Sequence, residues 1–241
     1  MSMQKPTTIE IVSLRAGSVR TLGRAGADAM MDRPWTTGIF KQALSTSIWL
    51  GSAGLDGDGH GDSKRHGGSE KAVHVYPSEH FRFWREALGV DGIGPGAFGE
   101  NFATSGATEA GVCIGDIYEV GEALVQVSQP RRPCWRLARR WRRRDLALLM
   151  QRSGHTGWYL RVLRPGYVAP RQPLTLTERP FPEWTVVRTN ELLYETAEPR
   201  TLERLADCPA LAEGCRVRLV ERLQGAAEDP MPRLYGPNGV P

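Results

Sequence analysis

The sequence predicts a mainly β fold with peripheral helices, of the α+β class, followed by a small helical appendage. Three observations predict it. Short apolar runs with strand-like alternation recur between Gly, Pro and Asp turns. Helical periodicity breaks in at a few points only, until residue 180, and then takes over in three short pieces. The 241 residues suffice to bury a core without disulfides or metals. The expected organisation is a β domain over residues 1–179, a three-helix appendage over 180–225 and a disordered tail over 226–241, rich in Pro and Gly.

Taken in order, Ile9, Ile11, Val12 and Leu14 predict a strand over residues 8–14, stopped by Gly17. Residues 37–50 alternate in a strand-like way. Residues 51–68 carry so many glycines that a buried element is excluded. A calcium loop fails there because its twelfth position is Gly67 rather than Glu. A Walker-type phosphate loop fails for want of Gly-Lys-Ser/Thr. An anion site served by Lys64, Arg65, His66 and Lys71, or a surface lid, both remain compatible.

Residues 72–76 read as a strand ended by Pro77, and Ser78 as the cap of a helix over 79–88 that stops at Gly89. His74 and His80 have no metal-type partner at i+4, so they are weak ligand candidates. The segment Phe98-Gly99-Glu100-Asn101-Phe102 offers either a polar rim for a ligand or the start of a hairpin. Strands are expected over 111–114, 116–120 and 123–128, the last two forming a hairpin at Gly121-Glu122. Beyond residue 134 the pattern turns helical, Asp145 reads as a second cap, and Arg139 to Arg144 read as a solvated face. Further strands are expected over 157–163 and 172–177.

The stretch that carries chemistry is Ser128-Gln129-Pro130-Arg131-Arg132-Pro133-Cys134, which delivers a thiol at the end of a strand, where loops carry function. Neighbouring guanidinium groups favour its thiolate, which is a nucleophile and a soft metal ligand; a small buried hydrophobe is the plain alternative. The four cysteines, Cys113, Cys134, Cys208 and Cys215, form no CxxC pair or zinc-finger spacing and read as reduced thiols of a cytoplasmic protein. No apolar run approaches the ~18 residues of a membrane span. Net charge is +4, and the basic excess concentrates between Arg131 and Arg144. That field can hold phosphate or nucleic acid, but between Arg139 and Arg144 only Trp141 stands to stack a base, so no nucleic-acid partner is expected.

The succession Gly54-Leu55-Asp56-Gly57-Asp58, His66-Gly67-Gly68 with Lys71-Ala72-Val73, Phe98-Gly99-Glu100-Asn101, Gly115-Asp116 and Gln129-Pro130-Arg131-Arg132-Pro133-Cys134 resembles the ordered signatures of a MOSC domain. That is the domain type of molybdenum cofactor sulfurase C-termini and of the mitochondrial amidoxime-reducing components. The run Leu149-Met150-Gln151-Arg152-Ser153-Gly154 to Gly157-Trp158, and the appendage after Trp184, resemble the stand-alone bacterial YiiM-type members. The resemblance implies a closed, mostly antiparallel β-barrel with helices around it and a molybdenum cofactor (Mo-molybdopterin) at its mouth. It implies Cys134 as metal ligand and catalytic residue. It implies His66, Gly67, Lys71, Asn101 and Arg131 as phosphate or pterin contacts. The implied activity is reduction of N-hydroxylated purine bases and amidoximes, a detoxification of N-hydroxylated bases.

The residues by themselves are compatible with that chemistry, since a thiolate suits molybdenum and arginines fork onto phosphate. The chain has no iron–sulfur cysteine array and no flavin or nicotinamide fingerprint, so an external flavoprotein or iron–sulfur reductase must supply electrons. A basic face over residues 136–144 can dock it. A homodimer stays open, and His66 is a candidate proton donor by its near-neutral pKa. Two other functions compete: a cofactor or sulfur carrier with Cys134 as persulfide, and a basic nucleic-acid-binding domain with a structural cysteine.

Overall fold

The computed structural model describes residues 8–61, 67–226 and 228–239. The barrel strands and their neighbours run in chain order as β1 (Thr8–Ala16), β2 (Arg20–Leu22), β3 (Trp35–Thr37), β4 (Gln42–Ala43), β5 (Ile48–Gly51), β6 (Gly54–Leu55), β7 (Val73–Pro77) and α1 (Phe81–Leu88). Next come β8 (Phe102–Ser105), β9 (Ile117–Val120), β10 (Ala123–Pro130), α2 (Arg136–Trp141), α3 (Leu146–Ser153), β11 (Trp158–Arg164), β12 (Gly166–Val168) and β13 (Pro173–Glu178). The appendage holds α4 (Val186–Tyr194), α5 (Pro199–Ala206) and α6 (Glu213–Leu223), and α7 (Met231–Leu234) follows.

Strands β13, β9, β10, β11, β7, β8 and β1 lie side by side, and β1 pairs again with β13, so the sheet closes into a seven-stranded barrel. Only β7 and β8 run parallel within it. Closure depends on β1. Its buried residues are Ile9 and Ile11, then Leu14 and Ala16, so the alternation slips by one residue between them. The pairing with β8 shifts register at that place, between Ile11 and Ser13, and Val12 turns outward. Such a bulge bends a strand and raises its twist. Here it lets the start of β1 meet β13 and its end meet β4.

The barrel interior and the appendage share one apolar cluster. Leu192, Leu202, Leu205 and Leu219 of the helices pack with Ile9, Val75, Val125 and Leu160 of the strands. Each such side chain, fully buried, contributes about 1.5–3 kcal/mol. Backbone bonds from Val186 to Val112 and from Ala212 to Ser128 tie the helices to the barrel. A second cluster, including Trp84, Phe98, Leu137 and Met150, lies beneath α1, α2 and α3.

Several expectations are corrected. Residues 111–114 contain only an isolated bridge from Cys113 to Thr185, because the Asp116 carboxylate takes the Cys113 N–H that a strand would use. The strand lies instead at β8, directly after Asn101. Ser78 does not cap a helix: its hydroxyl donates to the Thr104 carbonyl, and a 3₁₀ turn over Ser78–His80 leads into α1. Gly89 does end α1, in the left-handed conformation. The Asp145 carboxylate binds Arg143 and leaves the start of α3 without a side-chain cap.

The basic run is not one solvated face. Helix α2 ends at Trp141, and Arg142 is left-handed at φ 55°, which turns the following arginines away. Arg139 is only 5% exposed and donates to the carbonyls of Met30 and Arg33 and to Asn238 Oδ1. The expected disordered tail is folded over residues 228–239. Leu234 and Tyr235 pack on Ala147, and Asn238 is fully buried beside Arg139.

Arg139→Met removes the guanidinium donors from those acceptors and lowers the free energy of unfolding by about 2–3 kcal/mol in urea titrations. Arg144→Met, on the exposed side, changes it by no more than about 0.5 kcal/mol.

Candidate active site

Strand β10 continues to Pro130, opposite Trp158, and the Arg131 N–H extends the ladder to the Gly157 carbonyl at 3.0 Å. The proline on each side of Arg131-Arg132 then carries the chain out of the sheet. Cys134 follows, and its carbonyl accepts from Leu137 N at 3.1 Å in the turn that opens α2. The thiol residue is thus held between a strand end and a helix start, 8% exposed.

Two cavities meet at Cys134. The smaller, about 70 Å³, is lined by Lys41, His74, Asn101, Arg131 and Tyr159, with Gly38, Gly59, Gly61 and Gly99 along its wall. The larger, about 360 Å³, is lined by Lys71, Arg132, Arg218, Arg233 and Glu228 among others. Cys134, Arg136 and Tyr159 line both. Glycine at 38 is a steric necessity, since a Cβ there would lie 1.9 Å from the Gly59 carbonyl oxygen. The described part of the glycine-rich loop is therefore a packed wall of the smaller cavity. Gly157, at φ 70°, is required likewise, because a Cβ would sit 2.2 Å from the Val75 carbonyl oxygen.

Asn101 uses its amide to assemble this mouth. Its Oδ1 accepts from His74 N and its backbone N–H donates to the His74 carbonyl, so it extends the β7–β8 ladder by one step. Its Nδ2 donates to the Arg15 carbonyl and to Asp58. Asp58 also accepts from Gly17 N at 2.9 Å and binds the Lys41 ammonium, with both side chains of that pair almost fully buried. Burial pulls the Lys41 pKa down and outweighs the opposing pull of Asp58.

His74 faces the smaller cavity, and its buried Nε2 has no hydrogen-bond partner among the described residues. Burial, and then the charge of Arg131, hold its pKa well below the usual histidine value, so the ring is neutral. Arg131 is itself 5% exposed, with Nη1 at 2.6 Å from Met150 Sδ. Burial raises the Tyr159 pKa, against the nearby charge of Arg131.

Of the residues expected at the site, Cys134, Asn101 and Arg131 share the smaller cavity, while Lys71 joins Cys134 in the larger. Gly67 lines neither, and His66 lies outside the described residues. Sequence reasoning passed over Lys41, Tyr159, Arg218 and Arg233, named Arg132 in the motif without giving it a contact, and set His74 aside. A lone lysine between Phe40 and Gln42 carries no periodic signal, and Arg218 lies far along the chain in another element. The one available hint for His74 was a histidine within an otherwise apolar strand.

Residues 62–175 match the MOSC domain and residues 184–226 the YiiM-like, 3-alpha helix domain. Protein YiiM of Escherichia coli is 36% identical over 203 residues, 82% of this chain and 90% of that protein. The chain belongs to the YiiM-type MOSC-domain proteins. The crystal structure of YiiM from Geobacillus stearothermophilus superposes with a TM-score of 0.74 at 36% identity, covering 89% of this chain and 99% of that one. A protein of Gibberella moniliformis named "Reductase" is 34% identical over 204 residues, 83% of this chain but 35% of the fungal protein. Membership of the MOSC family relates the function to the molybdenum cofactor. Among the described residues, no helix is long and apolar enough to cross a membrane.

Two measurements test the build of this mouth. Lys41→Met strands the buried Asp58 charge and costs about 3–5 kcal/mol of stability in urea unfolding. Because the folded His74 pKa is depressed, the unfolded chain binds the extra proton. Its contribution is present in full above about pH 6.5 and is lost as pH falls below it, by up to about 1.4 kcal/mol per pH unit. The stability of the parent chain relative to His74→Asn therefore drops between pH 7.5 and pH 5.

Proposed function

We propose that the chain holds a molybdenum cofactor at the barrel mouth, with Cys134 as ligand to the metal, and reduces N-hydroxylated compounds such as hydroxylaminopurines and amidoximes. The observation that carries this reading is the position of Cys134, a nearly buried thiol in the wall common to both cavities.

The residues present fit such a group. Among the described residues no three His, Cys, Asp or Glu side chains converge as a metal cage, and a single thiol suits a metal that brings its other ligands with it. The larger cavity is lined by Lys71, Arg132, Arg136, Arg218 and Arg233, a set suited to a phosphate. In the smaller cavity the unpartnered His74 Nε2 is a polar atom left for a ligand to satisfy.

When bound, the cofactor supplies the two-electron chemistry that removes oxygen from an N–OH group. The chain's own residues do the rest. Arg131 and Arg136 line the smaller cavity together with Cys134 and put positive charge beside the thiol. The Lys41–Asp58 pair and the packed glycines keep the wall rigid and water out. His74, kept neutral by burial and by the charge of Arg131, adds a polar ring to the wall without adding a charge. Electrons come from a separate flavoprotein or iron–sulfur reductase. The name of the fungal relative supports the oxidoreductase class.

The test is elemental analysis and turnover together, on protein from a host that makes the cofactor. Stoichiometric molybdenum and reduction of hydroxylaminopurine with an artificial reductant are expected, and Cys134→Ser abolishes both. Sulfane sulfur on Cys134 without molybdenum would replace this reading with a sulfur carrier.

A further inference from the structure

The larger cavity beside Cys134 already contains an anion, and it belongs to the chain itself. The Glu228 carboxylate is hydrogen-bonded to the Arg132 guanidinium and lies 3.3 Å from Arg218 Nε. The Arg218 contact is off-line, so its buried Nε makes no hydrogen bond, and neither does the buried Nε of Arg233 across the same cavity. The carboxylate thus pairs with Arg132 and leaves Arg218 Nε incompletely satisfied.

Arg132, the cation that Glu228 binds, has an anchor of its own. Arg132 Nε donates to the Tyr194 hydroxyl at 3.2 Å, and the guanidinium groups of Arg132 and Arg233 both lie over the Tyr194 ring. Arg233 is further held by the Pro133 carbonyl and Gln151. Arg132 therefore keeps a partner other than Glu228, and the carboxylate is the more open side of the pair: it is 41% exposed, against 12% for Arg132.

Glu228 begins the segment 228–239, which lies beyond both family matches. That segment straps the loop bearing Cys134. The Arg233 carbonyl accepts from Trp135 N at 2.8 Å, Asn238 Nδ2 donates to the Trp135 carbonyl, and Asp229, Pro232 and Arg233 line the cavity. The Asp229 carboxylate is spent on Met231 N at the start of α7, which leaves Glu228 as the group that pairs with the cations.

We propose that Glu228 is an internal counter-anion occupying the seat of a phosphate-bearing ligand, so that phosphate binding expels the carboxylate and loosens the strap over Cys134. The inference rests on the proposed function only for which phosphate-bearing ligand is natural. A carboxylate tethered in the seat lowers apparent affinity by the fraction of time the seat is open. It shields the cations until a dianion with more acceptor oxygens displaces it.

The full chain, purified from a host that makes no molybdenum cofactor, is titrated with inorganic phosphate at constant ionic strength. Calorimetry and hydrogen exchange are read together. Saturating phosphate is expected to speed exchange of the Arg233, Leu234 and Tyr235 amides about tenfold, and Glu228→Gln to bind phosphate about tenfold more tightly. In Glu228→Gln those amides exchange fast without phosphate, whereas Glu228→Asp keeps the parent behaviour. Equal phosphate affinity in the parent and Glu228→Gln, or strap amides indifferent to phosphate, would overturn the proposal. Molybdenum content and its dependence on Cys134 are separate measurements, so either idea can fail while the other stands.

Discussion

One buried carboxylate, Asp58, holds the mouth of the barrel in shape. It accepts from the backbone at Gly17, from the Lys41 ammonium and from the Asn101 amide, and so joins the end of β1, the segment beside β4 and the step before β8. A charge this deep persists only with its donors in place, because desolvation otherwise exceeds what the protein can repay. Asn101 passes the constraint on, since its amide also completes the ladder to His74. The small cavity, its glycine wall and the orientation of His74 all follow from that knot.

The second organising fact is the division of charge around Cys134. On one side the wall holds a histidine kept unprotonated by burial, a lysine already paired, and the guanidinium of Arg131. On the other, cations from the loop after β10, the appendage and the C-terminal strap line a common cavity. A thiol between a compact polar niche and a cationic chamber suits a ligand with a reactive end and an anionic end. The arginines that follow one another in the chain serve these roles separately. Arg131 lies within the niche, Arg132 reaches the chamber, and Arg139 ties Met30 and Arg33 to the strap.

Legibility from sequence followed the range of the interactions. The β9–β10 hairpin was readable because the turn at Gly121-Glu122 and the alternation from Ala123 onward are local, and Ala123 pairs with Val120. The place of Cys134 was readable for the same reason. The strand over 111–114 was misread because the Cys113 N–H goes to a side chain, and β8 was missed because four residues after a glycine turn carry too little pattern. The strap was read as disordered because Pro and Gly dominate its composition. Its order comes from contacts with Arg139, Trp135 and Ala147, nearly a hundred residues earlier.

By itself the sequence determined that strands dominate before residue 180 and helices after it, that a hairpin turns at Gly121-Glu122, and a family order of motifs that ends at a thiol beside arginines. Tertiary structure alone decided that Lys41 is sealed against Asp58, that Lys71 and Asn101 lie in different cavities on either side of Cys134, and that Glu228 closes on Arg132. Periodicity states which face of its own element a residue occupies. Which residue waits opposite depends on the closure of the barrel and on the docking of the appendage, and those arise from burial summed over the whole chain.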